Sequence, residues 1–323
     1  MGNAKKLICL LTSAFCLGMA APVSAQQFPA KPVRIVTTVP GGSLDLTARL
    51  LAPRLAERLG QPVIVDNRGG ILSMELVAKA PADGYTLLLA SGSLWISRFL
   101  RDSVSWDAIR DYAPLSLLVT SPNILVVHPS LPVRSVKDLI ALARARAGAI
   151  NYSSGQTGSS SHIAGELFNS MARVNIVRIA YKGQGPAMLS LVTGETQVSF
   201  PNAASAAAFM KSGRLKPLAV TSAQPSALAP GLPTVAASGL PGYESRAILG
   251  MFAPARTPAP IIEQLHAEIT RALQSPDVKQ RLFESGAEAV GGSPAELTAV
   301  MKSEMATTGK LMEDAASGTE HRR

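Results

Sequence analysis

Two stretches of small and polar residues are where this chain could do chemistry. One is Thr38-Val39-Pro40-Gly41-Gly42-Ser43-Leu44-Asp45; the other runs from Ser153 through Gly155, Thr157, Gly158 and Ser159 to His162. The first follows an apolar extended run, Val33 to Val39, and the second a short strand, Ile150 to Ser153. Each precedes apolar residues at helical spacing: Leu50, Leu51, Leu55 and Leu59 after the first, and Ile163, Leu167, Phe168 and Met171 after the second. Both therefore read as strand, turn, helix. The first amides of a helix have no partner within it, and that end favours negative charge. Glycine lets another group approach the main chain closely. The chemistry on offer is capture of an anion by backbone amides and hydroxyls. The alternative is a tight connection, with Ser43 or Asp45 serving only to cap the helix.

Other chemistries lack their parts. The four histidines have no ligand spacing with one another or with a carboxylate pair. Structural or hydrogen-bonding roles are expected for His128 and His162. Ser159 with His162 lacks the Gly-x-Ser-x-Gly elbow of a nucleophile, and Gly155 to Ser159 lacks the lysine of a phosphate loop. No enzyme activity, cofactor or metal is expected. Lys182 could pair with a ligand carboxylate or stand solvated at a rim. Asp45 could cap its helix or hold a ligand-bridging water or amino group.

The elements that must position these turns alternate. Val33–Val36, Val63–Val65 and Thr86–Leu89 read as buried strands, their unbroken apolar runs suiting a parallel sheet covered on both faces. A helix over about Leu44 to Leu59 lies between the first two, with a kink or break expected at Pro53. Further strands are read at Leu115–Val119, Ile124–Val127, Ile150–Ser153, Ile176–Ile179, Val198–Phe200, Leu215–Thr221 and Ala247–Phe252. Helices are read from Ser135 to Ala147, Pro186 to Val192 and Ala203 to Lys211. Three more start at Thr257-Pro258, Ser275-Pro276 and Ser293-Pro294-Ala295-Glu296, the last a capping box. Ligands in open α/β sheets bind beyond the carboxyl ends of strands. Two such blocks facing each other would form a cleft that closes on a hinge.

The N-terminus reads as a secretory signal: Lys5 and Lys6, an apolar run from Leu7 to Ala21, then Val23-Ser24-Ala25, with cleavage expected after Ala25. Both cysteines, Cys9 and Cys16, lie inside it, so disulfide and thiolate chemistry are excluded from the mature chain. Export without disulfides suits a bacterial periplasm. The formal charge of +9 falls to about +7 without Lys5 and Lys6. Its scattered basic residues and few aromatics do not make a nucleic-acid surface.

Read in order, the motifs resemble a known family. They are Pro40-Gly41-Gly42 with Asp45, Gly60-Gln61-Pro62-Val63 leading to Asn67-Arg68, Ala82-Asp83-Gly84-Tyr85-Thr86-Leu87 and Asp111-Tyr112-Ala113-Pro114. Val127-His128-Pro129, Tyr152 to His162, Tyr181-Lys182-Gly183, Leu218 to Ser222, Leu232-Pro233-Thr234-Val235 and Phe252-Ala253-Pro254 follow. Together they resemble the extracytoplasmic solute receptors of tripartite tricarboxylate transporters, the Bug receptors. The resemblance implies a type II periplasmic-binding fold, two α/β domains with a ligand cleft between them and crossing hinge strands. Residues 26–125 with 248–323 would form one domain and 126–247 the other, after a signal peptide over 1–25. It also implies a monomer that captures a small carboxylate and delivers it to membrane permease subunits. The alternative is a receptor presenting its ligand to a sensor.

Carried over by motif, the ligand loops are Pro40, Gly41, Gly42, Leu44 and Asp45; Gly70; Ser91 and Ser93; Ser153, Gly155, Thr157, Ser159 and His162; Tyr181 and Lys182; and Pro201 and Asn202. Three loops depart from the family pattern. Thr37-Thr38-Val39 precedes Pro40. Gly69-Gly70-Ile71 follows Arg68 directly, about three residues short by the flanking strand and helix signals. Phe200 is followed by Pro201 where an acid is usual. A less polar or larger carboxylate is the expected consequence.

Overall fold

The computed structural model describes residues 28–69, 71–101 and 103–320, with side chains to Leu311. The expected signal peptide and Gly70 lie outside the described residues.

The first sheet has six strands in the order β11-β4-β10-β3-β1-β2: β1 (Val33–Thr37), β2 (Val63–Asn67), β3 (Thr86–Ser91), β4 (Tyr112–Pro122), β10 (Arg246–Pro254) and β11 (Glu288–Gly292). β1 is parallel to β2 and β3, whereas β10 is antiparallel to β3 and β4, and β11 is antiparallel to β4. The second sheet has five, in the order β7-β6-β8-β5-β9: β5 (Ile124–Val127), β6 (Asn151–Ser154), β7 (Val177–Ala180), β8 (Val198–Ser199) and β9 (Lys216–Val220). Here β6 is parallel to β7 and β8, and β5 is antiparallel to β8 and β9.

Helices cover both sheets. Around the first lie α1 (Ser43–Leu59), α2 (Ile71–Ala78), α3 (Ser93–Leu100), α8 (Ala259–Leu273) and α9 (Pro276–Glu284). Around the second lie α4 (Val136–Ala145), α5 (Ser160–Ala172), α6 (Gln184–Val192) and α7 (Ala203–Lys211). The last helix, α10 (Pro294–Glu320), belongs to both: Leu297 and Met301 pack in the first lobe's core and Leu311 in the second's. Each lobe thus has its own apolar interior, and one long helix joins them.

The chain changes sheets at Asn123, the single residue between β4 and β5. Thr221 ties this crossing to the return path. Its hydroxyl donates to the Asn123 carbonyl at 2.8 Å and accepts the Asn123 amide at 2.8 Å, and its own carbonyl accepts Ser245 N–H at 2.9 Å. The Thr221 hydroxyl thus bonds both backbone groups of Asn123 at the crossing, where buried main-chain groups need partners.

Several expectations are corrected. α1 is not broken at Pro53. Pro53 lies on the exposed side of the helix, which runs on through it to Leu59. Neither Ser43 nor Asp45 caps α1; Gly42 occupies that position with no side-chain bond. The Val63–Val65 run is an edge strand, with Ile64 53% exposed, and not a buried one. α3 and β11 had no sequence reading. The capping box at Ser293 forms as expected: Ser293 N–H donates to Glu296 at 2.7 Å and Glu296 N–H to Ser293 Oγ at 3.2 Å. Ser135 likewise caps α4.

Candidate functional site

The two turns are built on one device. Gly41 and Gly158 both adopt left-handed backbone, with φ of 88° and 85°, which a side chain would strain. In each, the glycine N–H is accepted by the side chain four residues on, in the first turn of the following helix. Gly41 N–H donates to Asp45 Oδ2 at 3.0 Å, and Gly158 N–H to His162 Nδ1 at 3.0 Å.

In the first turn the acceptor is charged and saturated. Asp45 also accepts Arg49 Nε at 3.0 Å and Asn67 Nδ2 at 2.9 Å, and Asn67 Nδ2 reaches the Thr38 carbonyl at 2.7 Å. The Arg49 hydrogen bond, with that from Gly41, holds the Asp45 carboxyl down at about 2. The turn is clasped from α1 and from β2, leaving Pro40, Gly41 and Gly42 exposed. Leu44 points the other way, into the first lobe's core.

In the second turn the acceptor is neutral. Burial lowers His162 to about 4, and the Arg178 charge adds to the shift. Because Nδ1 accepts from Gly158, the ring proton sits on Nε2, 4.0 Å from the Glu166 carboxylate. Ser159 caps α5 by accepting His162 N–H at 3.3 Å. Arg178 ties down the rest: it donates to Ser154 Oγ at 2.8 Å, the Gly155 carbonyl at 3.2 Å and Thr157 Oγ1 at 3.3 Å. The Gly155 amide is itself taken up by Ser161 Oγ at 3.1 Å.

The second sheet also carries unused polar groups along one edge. Ser153 Oγ, Tyr181 OH and both amide atoms of Asn123 are buried with no protein partner. Ser153 stands near the carboxyl end of β6, and Tyr181 follows β7. Asn123 precedes β5, whose antiparallel pairing sets its start beside the end of β8, where Asn123 bridges to Asn202. All three thus lie at the carboxyl ends of the parallel strands. A buried polar group left unpaired costs about 1–3 kcal/mol, so this edge is suited to being completed by water or a ligand.

Other sequence-predicted residues are already engaged. The Lys182 carbonyl accepts Gln156 Nε2 at 3.1 Å while its side chain is exposed. The Pro201 carbonyl accepts Ile124 N–H at 2.8 Å, and Asn202 caps α7 by accepting Ser205 N–H at 2.8 Å.

A cavity of about 540 Å³ opens between the lobes, bounded by Ser43, Ser91 and Ser93 on one side and Ser159 on the other. Ser91 and Ser93 Oγ are 3.0 Å apart. The cavity runs back along β10 and beneath α10 to Glu304, whose carboxylate accepts Trp95 Nε1 at 2.7 Å. Of the predicted residues, Ser91, Ser93 and Ser159 meet in this cavity; the Ser153, Tyr181 and Asn202 edge does not border it. Arg49, Asn67, Asn123, Arg178 and Glu304 were missed as site residues. Only Asn67 lay in a quoted motif; Arg49, Arg178 and Glu304 sit in helices and a strand and Asn123 at the crossing between sheets, with no local signal.

Residues 47–316 match the tripartite tricarboxylate transporter family receptor. Protein BugT of Bordetella pertussis is 37% identical over 283 residues, 86% of this chain and 87% of that protein. Among solved structures, R. palustris Rpa4515 with adipate is 35% identical, with a TM-score of 0.75 over 90% of this chain and 98% of that one. MatC (Rpa3494) from Rhodopseudomonas palustris with bound malate is 27% identical, with a TM-score of 0.72 over 88% and 100%. With two mixed sheets joined by crossing strands, the architecture is the two-domain α/β fold of periplasmic binding proteins, and the chain belongs to the tripartite tricarboxylate transporter receptor family, a family of solute-binding receptors.

Proposed function

We propose that this protein is a periplasmic receptor that captures a small carboxylate between its lobes and hands it to the permease subunits of a tripartite transporter. The observation that carries this reading is one cavity between the lobes, bordered by Ser43 at the first glycine turn and by Gly158 and Ser159 of the second. The turns' side-chain clasps hold Gly41 and Gly158 in fixed left-handed conformations, while serines from both lobes border the opening. Donors held in place before the ligand arrives lose little freedom on binding. Adipate and malate in the two related structures indicate carboxylates as the class to test first.

The test is a thermal-shift screen of protein denatured and refolded to remove bound ligand. A carboxylate at a hundredfold its Kd adds roughly 2.7 kcal/mol of stability, a readily measured rise in Tm. Stabilisation by uncharged compounds alone would overturn carboxylate capture. Loss of uptake of the same carboxylate on gene deletion tests delivery.

A further inference from the structure

The inner part of the cavity is not built for a short diacid. Beyond the serines of the two turns an apolar group lines it, Ile96 of α3, Ile163, Leu167 and Met171 of α5, Ile248 of β10 and Val300 of α10, interrupted on α10 by the hydroxyls of Ser303, Thr307 and Thr308. About 540 Å³ is within the range that holds drug-sized molecules, and a short dicarboxylate would leave most of this apolar wall uncovered. The charges at the inner end are also wrong for a second carboxylate. Glu304 and Glu244 both border it, and Arg246, its one lining cation among the described residues, is already paired with Glu244 at 3.3 Å. Burial pushes Glu304 up to about 7, so near neutral pH an incoming anion there meets a partly ionised acid.

Resting on the reading of the cleft as a carboxylate site, we propose that the ligand is a monocarboxylate with a bulky apolar body, an aromatic ring or a medium-length acyl chain. Its carboxylate sits at the serine-lined opening, and its body fills the chamber between α5, β10 and α10. Binding then draws on apolar burial as well as anion capture.

The experiment is calorimetric titration of the refolded protein with 3-phenylpropanoate, octanoate, propanoate, malate and adipate. Either large monocarboxylate should bind about thirtyfold more tightly than propanoate, the gain expected from burying one large side-chain-sized group. Met171→Trp, which fills the chamber from α5, should cost the large ligand at least about tenfold and leave propanoate nearly unchanged. Val300→Phe intrudes from the opposite wall and replaces Met171→Trp if that variant fails to fold. Malate or adipate binding as tightly as the large monocarboxylates would overturn the proposal, as would an equal loss for all ligands in the variants. Binding of short carboxylates alone sinks this inference but not the receptor reading. Binding of no carboxylate sinks both.

Discussion

The turns at Gly41 and Gly158 share a geometry and differ in the chemistry of the clasp. Asp45 holds its glycine with a full charge, supported by Arg49 and Asn67 from two elements. His162 holds its glycine with a neutral imidazole lone pair, and the Arg178 network around it ends beside buried groups that have no partner. The first turn is internally complete, so it acts as a fixed wall. The second retains unused hydrogen-bonding capacity beside it, so it can still take up water or another partner. The difference teaches that a shared backbone motif does not imply a shared role: what the surrounding side chains leave unsatisfied decides it.

The largest effect is expected from Asp45→Ala. It removes three hydrogen bonds to one buried carboxylate and should destabilise the protein by roughly 2–4 kcal/mol, hydrogen bonds to charged groups being the stronger kind. Urea unfolding measures it. A loss below about 1 kcal/mol would mean that the first turn is not held by its charge.

The clasps should also fail at different pH. His162 is depressed from 6.5 to about 4 on folding, so the unfolded chain binds the proton more readily. Its contribution is intact above about 6.5 and is lost as pH falls toward 4, on the order of 2–3 kcal/mol. Asp45, lowered from 3.8 to about 2, loses its contribution only as pH falls below about 3.8. Glu304 works the other way: raised from 4.5 to about 7, it favours the folded state as pH falls through that range. The informative quantity is therefore the difference between His162→Gln and the parent protein across pH 7 to 4.5. The variant should lose less stability on acidification; parallel curves would refute the neutral clasp.

The smallest effect should come from Ser153→Ala. Its buried hydroxyl has no protein partner, so removal should leave stability unchanged or raise it by about 1 kcal/mol at most. A clear fall in Tm would place this serine in the scaffold and weaken the contrast between the turns.

Much of the fold was legible because it rests on local signals. Apolar runs marked the strands, Ser135 and the Ser293–Glu296 box marked helix starts, and the small-residue stretches marked both turns. β11 escaped because Glu288-Ala289-Val290-Gly291-Gly292 has little strand character and is recruited by pairing with β4. α3 escaped because it is only eight residues long and follows β3 across Gly92 alone, and its place is set by burial of Leu94, Trp95 and Ile96. The candidate site was legible only in part. Asp45 was flagged as a cap or a ligand group, and its role as the clasp on Gly41 depends on Asn67, 22 positions away.

The sequence by itself determined that this chain alternates strands and helices and presents two glycine turns ahead of helices, because those signals are carried by near neighbours. Tertiary structure alone decided which donors the turns keep for themselves. It also decided that Asn123, Ser153 and Tyr181 share one sheet edge, and that Glu304 of the last helix lies against Trp95 at the back of the cleft. These are pairings across long stretches of chain, set by sheet order and lobe packing, and no local pattern of residues encodes them.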